Sequence, residues 1–237
     1  MRLHADFSQT VIIYPKDAQW VQSPNAEVSR MMLDRIGEEQ ARATSLVKFA
    51  AQSTFPEHTH PLGEEVLVLS GVFTENTTQH YPAGWYMRNP HQSAHQVSSE
   101  SGCLIFVKLM QMTEDELTPT RINTRDPQHW LWQDDQYICP LFSAKHERTY
   151  LIRLSAQQQL SEQSDQGIEI LILSGELVPH CEHFATGTWL RLAANRAMQL
   201  FAGASGASLY IKSGHLQHAI HVWGSHTSSE IGSFKQQ

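Results

Sequence analysis

Gly63-Glu64-Glu65-Val66-Leu67-Val68-Leu69-Ser70-Gly71 recurs as Gly167-Ile168-Glu169-Ile170-Leu171-Ile172-Leu173-Ser174-Gly175, 104 residues further on and without a gap. Each copy is a short apolar run, rich in β-branched residues and bounded by glycine, which reads as a β-strand. Three further blocks repeat in the same order. Ser45-Leu46-Val47-Lys48-Phe49 answers Tyr150-Leu151-Ile152-Arg153-Leu154. Gly84-Trp85-Tyr86-Met87-Arg88 answers Gly187-Thr188-Trp189-Leu190-Arg191, and Gly102-Cys103-Leu104-Ile105-Phe106-Val107-Lys108 answers Gly206-Ala207-Ser208-Leu209-Tyr210-Ile211-Lys212. A repeat of this length signifies two copies of one folding unit. The expected architecture is all-β, with two copies of one strand-rich unit in tandem.

Strict alternation puts Glu64, Val66 and Val68 on one face and Glu65, Leu67 and Leu69 on the other. Ile168, Ile170 and Ile172 stand likewise against Leu171 and Leu173. Both faces are largely apolar, so both should be covered, one by the interior of its own unit and the other by the partner copy, an N-terminal extension or a second subunit.

Just upstream of the first copy stands Pro56-Glu57-His58-Thr59-His60-Pro61-Leu62-Gly63. Side chains two apart on a strand share a face, so His58 and His60 can aim at one point. A turn at Pro61-Leu62-Gly63 then brings in Glu64. Two imidazoles and a carboxylate converging in this way suit a divalent first-row metal. The bland alternative, surface histidines beside a proline-rich turn, does not account for the ordered set.

The spacing His-x-His-x3-Glu-x6-Gly resembles the first motif of the cupin family, and Tyr81-Pro82-Ala83-Gly84 leading to Arg88-Asn89-Pro90 and His95 resembles the second. The resemblance implies two cupin jelly-roll barrels and the ligand set His58, His60, Glu64 and His95. His91 is expected in a loop and His80 at a strand end. In the second copy the equivalent positions are Glu162, Ser164, Ile168 and Met198, so one ion per chain is expected. Zinc is the first choice, and iron, nickel or manganese would suit the same donors. Arg88 has its counterpart in Arg191 of the metal-free copy, which favours a structural role, and alternation turns Glu65 away from the metal.

The 237 residues carry a formal charge of −7 and no cluster of Lys and Arg, which argues against a nucleic-acid surface. No apolar run is long enough to cross a bilayer, and Met1-Arg2-Leu3-His4-Ala5-Asp6 has no signal-peptide core. Cys103, Cys139 and Cys181 form no Cys-x-x-Cys pair and fit a reducing cytoplasm. Cys103 reads as a core thiol, and Pro179-His180-Cys181-Glu182-His183 as an exposed turn.

The expected organisation runs in five parts. Residues 1–44 are an N-terminal extension packing on the barrels, anchored by Trp20, Val28, Met31 and Leu33. Residues 45–112 are the metal-binding cupin, 113–149 a linker tied down by Trp130 and Trp132, and 150–214 the degenerate cupin. Residues 215–237 are a polar tail carrying His215, His218, His221 and His226.

A narrower likeness covers Trp20 to Leu109. Trp20 with Ser23-Pro24, Ala43-Thr44-Ser45-Leu46-Val47, Phe55-Pro56-Glu57-His58-Thr59-His60 and Tyr86-Met87-Arg88-Asn89-Pro90 resemble ChrR-like cupins. That family's namesakes are zinc-binding anti-sigma factors responding to oxidative stress, and the subfamily includes non-haem dioxygenases of diketones and acetophenones. Their sigma-binding helical domain, with its His-x3-Cys-x2-Cys motif, has no counterpart in this sequence, so sigma-factor binding does not carry over. The resemblance therefore implies a stress-sensing regulatory protein with a small molecule or oxidant at the metal, and a metal-dependent dioxygenase as the alternative. No nucleic-acid or membrane partner is expected, and the apolar outer faces leave room for a homodimer.

Overall fold

In the computed structural model, residues 1–23, 27–38, 40–161, 165–179, 182–196, 198–217 and 219 are described. Nearly all of the regular structure is antiparallel β-sheet. Among the described residues no helix is long and apolar enough to cross a membrane. The chain divides into two units, Met1–Leu3 with Gln19–Asp126, and His4–Ala18 with Pro127–Gln237.

In the first unit the strands Val28–Gly37, Ala41–Phe49, Cys103–Leu109, Glu64–Glu75, Trp85–Asn89 and Thr120–Asn123 lie side by side in that order. The long Glu64–Glu75 strand crosses into a second layer, where its C-terminal half pairs with Gln79–Pro82 and Ser93–Ser99, and Ser93–Ser99 pairs with Ser53–His60. In the second unit the order is Gln136–Ala144, Glu147–Leu154, Phe201–Ser213, Ile168–Val178, Trp189–Leu192 and Val11–Ile13. These are two jelly-roll arrangements built on one plan.

The register shows how closely the plan is shared. Phe106 stands between Leu46 and Leu67, and its counterpart Tyr210 stands between Leu151 and Leu171. Lys108 stands between Thr44 and Glu65, and Lys212 between Thr149 and Glu169. Each central strand carries a bulge at the same place, with Leu69 the extra residue in the first unit and Leu173 in the second. Gly71 and Gly175 follow at φ +71° and +75°, and a Cβ at either would overlap the carbonyl oxygen of Gly102 or Gly206. Only glycine allows that approach.

The bulges correct the simple two-face reading. Leu67 and Leu171 are buried, whereas Leu69 and Leu173, as bulge residues, are half-buried. Beyond the bulge the parity flips. Val66, Val68 and then Phe73 therefore all join the inner core, with Val47, Val97 and Ile105. The inner core of the second unit contains Ile152, Ile168, Ile170, Ile172 and Leu209.

Several expectations are revised. Val28, Met31 and Leu33 are buried, but Trp20 is 43% exposed, because its strand Trp20–Gln22 is an edge that pairs with Val28–Gly37. The supposed linker carries structure: Thr120–Asn123 extends the first sheet, and Leu131–Gln133 and Gln136–Ala144 extend the second. Trp130 is capped by the Arg153 guanidinium, 3.8 Å from its ring centre, while Trp132 stays exposed beside Tyr137. His215 and Leu216, assigned to a polar tail, are buried, and His215 Nε2 lies 3.1 Å from Glu169. His180, Cys181, His218, His221 and His226 lie outside the described residues.

The strand Val11–Ile13 precedes the first repeat but pairs with Trp189–Leu192 of the second unit. Thr120–Asn123 precedes the second repeat but pairs with Trp85–Asn89 of the first. Ile13, Asp17 and Gln19 correspond to Ile122, Asp126 and Gln128 at a constant spacing of 109 residues. Each repeat thus lends its leading strand to the other unit.

Candidate metal centre

His58 and His60 leave the Ser53–His60 strand on its inner face, and His95 comes from Ser93–Ser99 directly opposite His58. A bulge near Pro56, which has no N–H to offer the ladder, separates this pair from the Phe55 and Val97 pair. The chain turns after His60, with the Gly63 N–H donating to the His60 carbonyl at 3.2 Å and Gly63 at φ +71°. Glu64 then opens the next strand opposite Asn89.

The four side chains expected from the sequence come together. Ring centres of His58, His60 and His95 are 4.7 to 4.9 Å apart. His60 Nε2 and His95 Nε2 are 2.9 Å apart, and Glu64 Oε2 lies 3.6 Å from the first and 3.5 Å from the second. Glu64, His60 and His95 are buried and His58 is half-buried.

Tautomers follow from the remaining contacts. His58 Nδ1 donates to the Pro56 carbonyl at 2.9 Å, and His95 Nδ1 donates to Glu75 Oε1 at 2.8 Å. Both rings therefore present Nε2 as a lone pair. Two ring nitrogens 2.9 Å apart need a proton or a cation between them. Donor atoms about 2.1 Å from a shared ion are separated by about 3.0 Å at a right angle and about 3.4 Å at the tetrahedral angle. The separations among His60, His95 and Glu64 fit such an ion, and the donor atoms of His58, His60 and His95 form one triad within reach of a metal, with Glu64, Glu75 and His95 a second.

Behind the ligands lies a set of groups that the sequence did not reveal. Asn89 Nδ2 donates to Glu64 Oε2 at 3.0 Å and to Glu75 Oε1 at 2.9 Å. Arg121 Nη2 pairs with Glu75 Oε2 at 2.9 Å and donates to Asn89 Oδ1, while its Nε donates to the Tyr81 hydroxyl. Glu75 lies eleven positions beyond Glu64 and would face away under simple alternation. The bulge at Leu69 brings it inward. Arg121 arrives from the exchanged strand. Asn89 was visible inside the second motif, but nothing in its spacing marked a role.

The electrostatics agree with this wiring. Burial opposes ionisation of Glu75, but the His95 hydrogen bond, Arg121 and Asn89 outweigh it and bring its carboxyl to about 2. Glu64 is likewise opposed by burial and held low by His60 and His95. Burial lowers the His60 pKa. His95 is also opposed by burial, yet its bond to Glu75 and the charge of Glu64 raise it.

Arg88 and Glu65 sit elsewhere. They form a buried pair at 3.0 Å on the outer face, and Arg88 also reaches Glu116 at 2.6 Å. His80 is exposed beside Thr74, and His91 lies in a loop with its ring against the Pro61 carbonyl. In the second unit Ile168 is buried in the core and Met198 packs against it, while Glu162 and Ser164 lie outside the described residues. Cys103 and Cys139 are buried, and burial pushes both thiols up to about 11.

A cavity of about 280 Å³ adjoins the cluster. Its wall includes His58, His60 and Glu64 together with Val47, Phe55 and Val107.

Residues 8–113 match the family described as the ChrR cupin-like domain. The fold is also shared with solved structures. A candidate dioxygenase from Nostoc punctiforme superposes with a TM-score of 0.67 at 12% identity, over 86% of this chain and 82% of that one. The bacterial pirin YhhW of Escherichia coli, in complex with nickel(II), gives 0.62 at 12% identity, over 87% and 99%. A cupin 2 conserved barrel domain protein from Leptotrichia buccalis gives 0.55 at 10% identity, over 82% and 92%. No curated protein matches the sequence. The family match spans less than half of the chain, and the solved structures show a shared fold.

Proposed function

We propose that the chain is a tandem bicupin whose first barrel is a metal-dependent dioxygenase, with one divalent ion on His58, His60, Glu64 and His95. The observation that carries this reading is the cavity opening onto three of those four side chains. A closed structural site has no use for such a space, whereas a small molecule must reach an ion to react on it. With iron, nickel or manganese bound, the site would supply a Lewis acid with redox capacity and coordination positions beyond the four protein donors.

The residues around the ion have separable tasks. Glu75 fixes the His95 ring and makes its Nε2 a better donor, and Arg121 holds Glu75 ionised. Asn89 orients Glu64. Val47, Phe55 and Val107 keep the space beside the ligands apolar and exclude water.

The test is oxygen uptake by protein loaded in turn with iron, nickel, manganese and zinc, with acetylacetone and a hydroxyacetophenone as substrates. The expected result is multiple turnover with carbon–carbon cleavage products, lost in His60→Ala. Absence of uptake with every metal would remove the dioxygenase reading.

A second reading, a zinc-bound sensory protein of ChrR type in the cytoplasm, is favoured by the family match over residues 8–113. It predicts oxidant-driven metal loss without turnover.

A further inference from the structure

The metal cavity is also lined by two arginines, Arg30 and Arg35, both on the strand Val28–Gly37. They are five apart, so simple alternation would place them on opposite faces. The pairing with Ala41–Phe49 shows why they share one. Val28 stands opposite Phe49, Arg30 opposite Val47 and Met32 opposite Ser45, after which Asp34 follows opposite Thr44 and Arg35 opposite Ala43. Leu33 is the extra residue, and this bulge turns Arg35 inward. Val47, Ser45 and Ala41 line the same cavity.

Both guanidinium-bearing residues are half-buried. Arg35 Nη2 donates to the Glu38 carbonyl, and the Glu38 carboxylate is near enough to favour its charge. The Arg30 guanidinium makes no hydrogen bond or ion pair with any described residue, and the two cations disfavour each other. Among the described residues lining the cavity, Glu64 is the sole carboxylate, and it faces His60 and His95. Half-burying an uncompensated guanidinium costs stability, and a planar anion accepting from its fork offsets that cost. The remaining wall is largely apolar, as in a small-molecule pocket with a few placed polar groups.

We infer that the cavity takes a ligand with an apolar body and a carboxylate, the carboxylate held by Arg30 and Arg35 and the body reaching the three-histidine site. The role of the far end rests on the metal-site reading. The anchor does not need the ion.

The test is calorimetric binding of 4-phenylbutyrate against its neutral isostere 4-phenylbutanamide, using the full chain as metal-loaded and as chelator-treated protein. The acid should bind about tenfold tighter than the amide in both forms, the scale of a charge-assisted contact. Arg30→Gln should reduce that ratio to about twofold or less, Arg30→Gln with Arg35→Gln should abolish it, and Arg30→Lys should keep part of it. A melting temperature no lower than that of the native protein, with unchanged metal content, would show in each variant that the loss is local. Equal affinity for acid and amide in the native protein, an unchanged ratio in the double variant, or no binding of either probe at millimolar concentration would overturn the anchor. A preference that vanishes on chelation would also overturn it, because the carboxylate would then sit on the ion, and the metal site would stand. A preference that persists without any oxygen uptake would leave the anchor in place and remove the dioxygenase.

Discussion

The two units share their outer faces and differ on their inner ones. Outside, Glu65, Arg88 and Lys108 are buried in the first unit, and Glu169, Arg191 and Lys212 take the same register in the second. Arg88 pairs with Glu65, Lys212 with Glu147, and Arg191 donates to the carbonyls of His4 and Asp6. Inside, Glu64 corresponds to Ile168 and His95 to Met198. The frame rests on buried ions and on glycines at the bulges. The clustered histidines and Glu64 occupy inner positions that the frame of the second unit fills with hydrocarbon.

The largest expected effect tests the inner difference. His60→Ala should take bound metal from one ion per chain to none, while Met198→Ala leaves it unchanged, by elemental analysis after dialysis. Two tightly held ions in the native protein would break the contrast.

The outer likeness predicts equal damage in either unit. Glu65→Ala and Glu169→Ala should each cost about 1–3 kcal/mol, since the first takes one of two carboxylates from Arg88 and the second leaves Trp189 Nε1 and His215 Nε2 without their buried partner. Urea denaturation measures this, and an unchanged midpoint for either variant would show that its unit does not rest on these ions.

A smaller effect sharpens the role of the groups behind the ligands. Glu75→Gln should weaken metal binding about 10–100-fold while leaving the fold intact, read by competition with a chelating dye. Affinity equal to that of the native protein would reduce Glu75 to a structural residue.

The smallest effect concerns the bulges. Leu69→Asp and Leu173→Asp should cost about 1 kcal/mol, well below Leu67→Asp or Leu171→Asp, where an unpaired charge would be fully buried. Equal losses of melting temperature within each pair would mean that the bulge leucines are as enclosed as their neighbours.

Much of this was legible in the sequence because it is local. His58, His60 and Glu64 are linked by a strand of period two and a glycine turn, and the repeat announces itself at a fixed spacing. What was hidden depends on where a strand gains a residue. Glu75 and Arg35 reach the interior through bulges at Leu69 and Leu33, and no alternation pattern signals them. Trp20 looked like a core anchor by size alone, but its strand pairs on one edge. Arg121 lies in a polar segment between the repeats, which gives no apolar strand signal. The correspondence of Ile13, Asp17 and Gln19 with Ile122, Asp126 and Gln128 would have marked it as a strand.

The exchange of leading strands makes the repeats interdependent in a way that a comparison of ligands conceals. Arg121 stands in the segment that leads into the repeat without metal donors, yet it pairs with the carboxylate that holds His95. A segment outside the first repeat therefore completes the histidine cluster's surroundings. A gene cut between the repeats at residue 113 would deliver a complete ligand set with no guanidinium behind it. It would also leave the strand edges at Trp85–Asn89 and Trp189–Leu192 bare for pairing with other chains. Neither repeat can be inherited, expressed or redesigned alone without a loss charged to its twin.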